Sequence, residues 1–338
     1  MKPAYAGIDV AFAKQKRLPL VVCTREEGRL VPLPLRSARG LVPPRGSGNR
    51  ASLSAGSVEA FTAATLTYLR QVEEAFAVSI DRIAIDAPSA PALDGRRRAE
   101  RALDARGFSC FATPTAEQFD EIRRKALEHL EAGGPESRLP HANQLWMLVG
   151  FELFRVLSEL APCLEVFPNT TVQVLGAAHR TKFHKDGLEA QLAAARAHTG
   201  WPGGAEDEPA LHDIGYGSTH DKLDAYLCAW VASLKEEERE PFGAPPDDVI
   251  WVPRVEGGAF PSAEPIRVER RTRSRTRPAA SVPEGKSSRA CPGCSDKVFK
   301  RWPWGWDAHA AYRCEGLEAT DPEERKREFR DRFREAFA

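Results

Sequence analysis

Five carboxylates stand where apolar segments end or turn polar: Asp9 in AGIDVAFA, Asp86 in IAIDAP, Glu165 in CLEVFPN, and Asp221 and Asp224 in HDKLDAYLCAWVA. An unpaired carboxylate is costly to desolvate, so acids in such places are poor core residues and good ligands for a hard cation. Mg²⁺ and Mn²⁺ take oxygen donors, and two such ions about 3.5–4 Å apart can position an attacking water and stabilise the leaving oxygen of a phosphodiester. Asp221 and Asp224 are three apart, which places both on one side of a helix. Taken singly, each acid has a plainer reading. Asp9 suits a strand end, Glu165 a salt bridge, and Asp221 with Asp224 a solvated helix face. Their joint order along the chain favours a shared acidic site.

A second group lies near the end of the chain. Cys291, Cys294, His309 and Cys314 follow the spacing C-x2-C-x14-H-x4-C, the ligand order of a tetrahedral zinc site. Phe299 and Trp306 fall between the ligand pairs, as in a C2H2-type finger, although the middle spacing is longer than about 12. The segment RWPWGW beside Lys297, Lys300 and Arg301 suits stacking on unpaired bases, or else fills the core of a very small unit. Cys23, Cys110, Cys163 and Cys228 are isolated in apolar contexts and read as buried thiols. With no secretory h-region at the start, this cysteine usage points to a reduced cytoplasm and to metal binding rather than disulfides.

Composition narrows the partners less than it might. Lys plus Arg and Asp plus Glu both number 48 in 338 residues, so net charge does not announce a polyanion. Arginines do crowd residues 267–277. No run of about 18 apolar residues occurs, which argues against a membrane span.

The elements that must position the acids follow from periodicity. Strands are expected over Tyr5–Ala13, Leu18–Thr24 and Arg29–Leu35, the last two forming a hairpin across REEG. Arg36–Gly56, rich in Gly, Pro, Ser and Arg, reads as a mobile loop. Phe61, Leu66, Leu69, Val72 and Phe76 give an amphipathic helix over Ser57–Ala77 with Ser57 as its N-cap. A strand at Arg82–Asp86 follows, then helices near 96–106, 115–132 and 142–160, a strand at Leu164–Phe167, helices near 187–198 and 220–236, and a late strand at Val249–Pro253. The fold class is therefore α/β, a mixed sheet with helices on both faces, plus a small C-terminal zinc-binding unit. Residues 1–256 form the main domain, 257–289 a disordered basic linker, 290–318 the zinc unit, and 319–338 a charged helix with a Phe329, Phe333, Phe337 stripe.

The motifs GIDVAFA, IAIDAPSAP with GRRRAERALDARGFSCFATP, LEVFPNTTVQVLG and HDKLDAYLCAWVA, in that order over residues 4–253, resemble domain of unknown function 429. That family is described as predicted nucleases with an RNase H-like fold. The resemblance implies that Asp9, Asp86, Glu165 and Asp224 form the acidic site, with Asp221 or His220 assisting. It also makes Arg98, Arg101 and Lys182 candidates for phosphate contacts.

Two functions from different classes follow. The first is a metal-dependent phosphodiesterase acting on DNA or RNA. Asp9 and Asp224 would bridge or flank Mg²⁺ or Mn²⁺ ions, Asp86 would complete their ligation, and Glu165 would orient a metal or a water. The second is a non-catalytic nucleic-acid or protein-binding module that works through the zinc unit and the basic linker. A nucleotide-binding actin-like ATPase ranks last, because no second phosphate-binding Gly-rich turn follows Asp86.

Overall fold

The computed structural model describes residues 1–38, 40–108, 110–177, 185–203, 209–255, 289–290, 298–299, 317–318 and 322–332. The chain divides into two compact units, Met1–Ile266 and Arg267–Ala338.

In the first unit, β1 (Lys2–Asp9) is the middle strand of a five-stranded sheet. It pairs antiparallel with β2 (Leu20–Glu26) and parallel with β4 (Val78–Asp86). The outer strands are β3 (Arg29–Pro32), antiparallel to β2, and β5 (Cys163–Glu165), parallel to β4. The order β3-β2-β1-β4-β5 is a mixed sheet, as the sequence implied. Glu27 and Gly28 turn the β2–β3 hairpin, both at positive φ (51° and 83°), a conformation whose twist matches that of paired strands.

One irregularity in β4 sets which face each residue takes. Ala4 pairs with Ile80 but Tyr5 pairs with Arg82, so Asp81 is an extra residue opposite β1. Below it Val78 and Ile80 enter one core, and above it Ile83 and Ile85 enter the same core, with the alternation moved by one. If all nine residues of β4 kept a strict two-residue period, with Asp81 paired like the rest, Asp86 would fall on the same face as Ile80.

That core is closed by α2 (Ala55–Phe76) and α5 (Trp146–Leu157). Ala4, Ala6, Ile8, Ile83 and Ile85 meet Phe61, Leu69, Val72, Val149 and Leu153 there. The opposite face carries α8 (Thr219–Ser233), buried at every position from Asp221 to Ser233. Gly7 explains how the helix comes so close. A Cβ at that position would lie 1.9 Å from the Ala225 carbonyl oxygen and 2.3 Å from the Ala229 nitrogen.

Several local expectations need correcting. The N-cap of α2 is Ser54, whose hydroxyl accepts from Ser57 N, rather than Ser57 itself. Arg36–Gly56 is not a free loop over its described residues. Leu18 N donates to Pro44 O, Gly46 N to Lys16 O, and Gly48 N to Phe12 O, strapping residues 43–48 onto the turn after β1. A short helix, α1 (Asn49–Ser52), follows the strap. Two elements carry no clear sequence signal: α6 (Pro168–Val174), opened by proline, and β6 (Arg239–Ala244). β6 pairs antiparallel with β7 (Asp248–Pro253) as a separate two-stranded sheet. The remaining helices are α3 (Arg98–Ala105), α4 (Ala116–Glu131) and α7 (Lys185–Thr199).

In the second unit, Arg289–Ala290 pairs antiparallel with Val298–Phe299, and a helix spans Pro322–Arg332 with Phe329 buried. Cys291, Cys294, His309, Cys314, Phe333 and Phe337, and most of the 257–289 linker, lie outside the described residues, as does Lys182. No helix among the described residues is long and apolar enough to cross a membrane.

Candidate functional site

Asp9 and Asp86 are register partners at the carboxyl ends of two parallel strands. Their faces follow from residues two positions back. Gly7 abuts α8, and Ala84 packs with Cys228, Val231 and Ala232 of the same helix. Asp9 and Asp86 therefore lie on the α8 face, at backbones about 4.8 Å apart. Both are half-buried. Ligands in α/β sheets gather beyond the carboxyl ends of parallel strands.

The first turn of α8 comes to the same end of β1. Asp9 N donates to Pro19 O, and a Cβ on Gly217 would touch both Pro19 and Asp221. Asp221 and Asp224 are buried there, so neither sits on a solvated helix face. Asp221 has local work to do. Its Oδ2 accepts from Ser218 N at 3.1 Å in a capping box and lies 3.5 Å from Lys16 Nζ, while His220 Nε2 is 3.3 Å from Oδ1. His220 also contacts Ser218 Oγ at 3.0 Å. Between the two acids, Lys222 is buried and donates to Leu211 O and His212 O, fixing the segment that leads into the helix. Burial, with repulsion from Arg36, lowers its pKa.

Glu165 is placed differently. It pairs in register with Ile85, which faces the α2/α5 core, so it projects from the sheet face opposite Asp9 and Asp86. Its two oxygens accept from Arg97 Nη1 at 2.7 Å and Nη2 at 2.8 Å, and Oε2 also accepts from Ser89 N at 2.8 Å. Burial pushes this carboxyl above its usual range, and the Arg97 contact opposes the rise. Glu165 thus anchors the backbone three residues after Asp86, which makes it a positioning residue in this geometry.

Arg97 is the residue that sequence reasoning missed. It is buried, clamps Glu165, and donates from Nε to Asp248 Oδ1 at 3.1 Å. Asp248 in turn accepts from Arg98 N and covers the start of α3. The run GRRRAERAL reads as a surface patch because the partners are 68 and 151 residues away. Arg98 and Arg101, the two arginines singled out beforehand, are exposed. They line a partly enclosed pocket with Arg96, Leu93, Asp94 and Asp247. Arg101 also donates to Arg96 O.

Among the described residues, no group of three or more His, Cys, Asp or Glu is gathered closely enough to cage an ion. The adjacent Asp9 and Asp86 still offer oxygen donors, and Mg²⁺ is ordinarily held by one or two carboxylates with several waters rather than by a full protein cage. The donor set fits that ion. The isolated cysteines are thiols rather than disulfides, with Cys23 and Cys228 buried and Cys110 and Cys163 half-buried. Burial pushes the Cys163 thiol up to about 12.

Residues 7–248 match the family described as protein of unknown function (DUF429). The chain belongs to that family. No curated protein and no solved structure matches it. The matched span of this DUF429 chain holds all five candidate acids and ends at Asp248, the partner of Arg97.

Proposed function

We propose that the chain is a divalent-metal-dependent phosphodiesterase acting on nucleic acid, with an RNase H-like arrangement of the main sheet. The observation that carries this reading is the register pairing of Asp9 with Asp86 on the α8 face. Two ionised carboxylates about 5 Å apart repel by about 3 kcal/mol at an effective dielectric of 20, and a cation between them reverses that cost. Asp9 and Asp86 would hold Mg²⁺ or Mn²⁺, with Asp224 reaching the same end of the sheet from α8. The ion would supply charge stabilisation and a water of lowered pKa.

The chain's own residues do the rest. Glu165 and Arg97 fix the segment after Asp86, and Lys16 and His220 hold Asp221 at the start of α8. Arg98, Arg101 and Lys182 are proposed phosphate contacts, the first two because they are exposed on α3 near the Asp86 segment. The C-terminal Cys/His group is proposed to hold a structural zinc and to grip nucleic acid or a protein partner. The alternative, a binding module without turnover, would rest on that tail and on the basic linker.

The deciding experiment is cleavage of labelled single-stranded, double-stranded and branched DNA and RNA with Mg²⁺ or Mn²⁺, beside Asp9→Asn. Turnover lost in a variant that keeps its thermal stability supports the proposal. Equal turnover in both proteins sinks the assignment of Asp9.

A further inference from the structure

The strap over the turn after β1 brings two arginines face to face. Arg17 and Arg45 are partners in an isolated antiparallel bridge. Leu18 N donates to Pro44 O at 2.9 Å and Gly46 N to Lys16 O at 2.8 Å, so the bonds flank the pair and make it the closer, non-hydrogen-bonded kind. Side chains opposed in this way share a face, with Cβ atoms about 4.5–5.5 Å apart, and like charges there repel. Each guanidinium is nevertheless held in place by the other's segment. Arg17 Nη1 donates to Pro43 O at 3.0 Å, and Arg45 Nε donates to Gln15 O at 2.7 Å.

Among the described residues, neither arginine has a carboxylate partner. The acids around the strap are engaged elsewhere: Asp221 Oδ2 with Ser218 N and Lys16, and Glu136 Oε1 with Arg50 N at 3.2 Å. Both arginines are exposed, and the remaining N–H groups of their two forks donate to no described residue. A guanidinium fork matches the oxygens of a phosphate. An anion seated between the two turns their repulsion into attraction, and the backbone anchors have already ordered both side chains.

The pair sits at the acidic end of the sheet. Asp9 N donates to Pro19 O, two residues after Arg17, and Lys16 Nζ lies 3.5 Å from Asp221 Oδ2. In the strand order β3-β2-β1-β4-β5, the strap is on the β2 side of Asp9 and Asp86. Arg98 and Arg101 are on the other side, because Arg97 ties the start of α3 to Glu165 of β5. We propose that Arg17 and Arg45 clamp one backbone phosphate of the substrate strand, which then passes over Asp9 and Asp86 toward the α3 arginines. The proposal rests on the phosphodiesterase reading and deepens it. A strand gripped on both sides of the acidic pair is cut at an internal phosphodiester and needs no free end.

The test is binding of the full-length protein to a fluorescent single-stranded oligonucleotide without divalent metal, over a range of salt concentrations. Arg17→Gln/Arg45→Gln should weaken binding at low salt by about tenfold or more. It should also flatten the plot of log K against log salt by about 0.7, the share of one phosphate on a single strand. Arg17→Lys/Arg45→Lys keeps both charges and should keep the slope. An unchanged slope in the glutamine variant overturns the clamp, and so does an equal flattening in the lysine variant, which would mean that the arginines act only by holding the strap. Inorganic phosphate that stabilises the wild type but not the glutamine variant, with equal oligonucleotide slopes, makes this a free-anion site and also overturns it. The second arm is cleavage of linear and closed circular single strands with Mg²⁺ or Mn²⁺. Circles should be cut, and the glutamine variant should raise KM more than it lowers kcat. Linear strands cut beside intact circles overturn the path across the acidic pair. An altered slope with no cleavage of either form would remove the phosphodiesterase, and internal cutting with it, and keep the clamp. Cleavage with equal slopes in wild type and glutamine variant would do the opposite.

Discussion

Arg97→Met is the sharpest probe of how the site is held. The substitution keeps most of the side-chain length and removes the guanidinium that makes two bonds of 2.7 and 2.8 Å to Glu165 and one of 3.1 Å to Asp248. Arg97 and Glu165 are each only 6 % exposed, so water cannot replace the lost partner. Removing one member of a buried ion pair costs about 3–5 kcal/mol. For a unit of this size that is a fall in Tm of about 6–20 °C. The loss depends on pH. Burial already raises the Glu165 pKa in the folded state, so this group's contribution is full below the usual glutamate range and declines as pH climbs through the raised value. Taking away Arg97 removes the main influence opposing that rise. The penalty should therefore be largest at neutral and higher pH and should shrink in acid, where Glu165 takes up a proton. Urea unfolding of both proteins at pH 7.5 and pH 5 measures it, and Arg97→Met/Glu165→Leu should recover much of the loss because no buried charge is stranded. A penalty below about 1 kcal/mol at pH 7.5, or one equal at both pH values, would refute the buried-pair account.

Three further outcomes are expected. Gly7→Ala places a methyl group 1.9 Å from the Ala225 carbonyl oxygen and should cost at least about 3 kcal/mol, read by thermal unfolding, since overpacking alone costs about 1–3. Ser54→Ala should destabilise by about 0.5–2 kcal/mol through loss of the α2 cap, while Ser57→Ala should be close to neutral; equal effects would refute the cap assignment. Elemental analysis of purified protein should find one zinc per chain, lost in Cys294→Ser and on chelation.

The acidic strands were legible because IAIDAP and AGIDVAFA are apolar runs that each contain a single acid, and parallel pairing then brings Asp9 and Asp86 together. Their shared face was not legible, because it depends on the extra residue Asp81, whose effect appears only in the pairing register. Glu165 looked equivalent to the other acids in sequence. One position of register against Ile85 turned it to the opposite face, where Arg97 meets it. The Gly/Pro-rich stretch misled for a related reason: its composition reports turns, not whether backbone groups find partners, and here Lys16 O and Phe12 O supply them. β6 was hidden by Pro241 and Gly243, residues that a two-stranded ribbon edge tolerates.

The extra residue in β4 also bears on how this chain can vary in length. Removing Asp81 would leave Val78, Ile80, Ile83 and Ile85 in one unbroken alternation, with Asp86 still opposite Asp9. Deleting a single residue between Ile83 and Ile85 would instead turn everything on one side of the gap over. Position 81 is thus a joint at which the strand can gain or lose a residue without moving the acids. In the central sheet, it marks where related chains could differ by one residue and keep the same site.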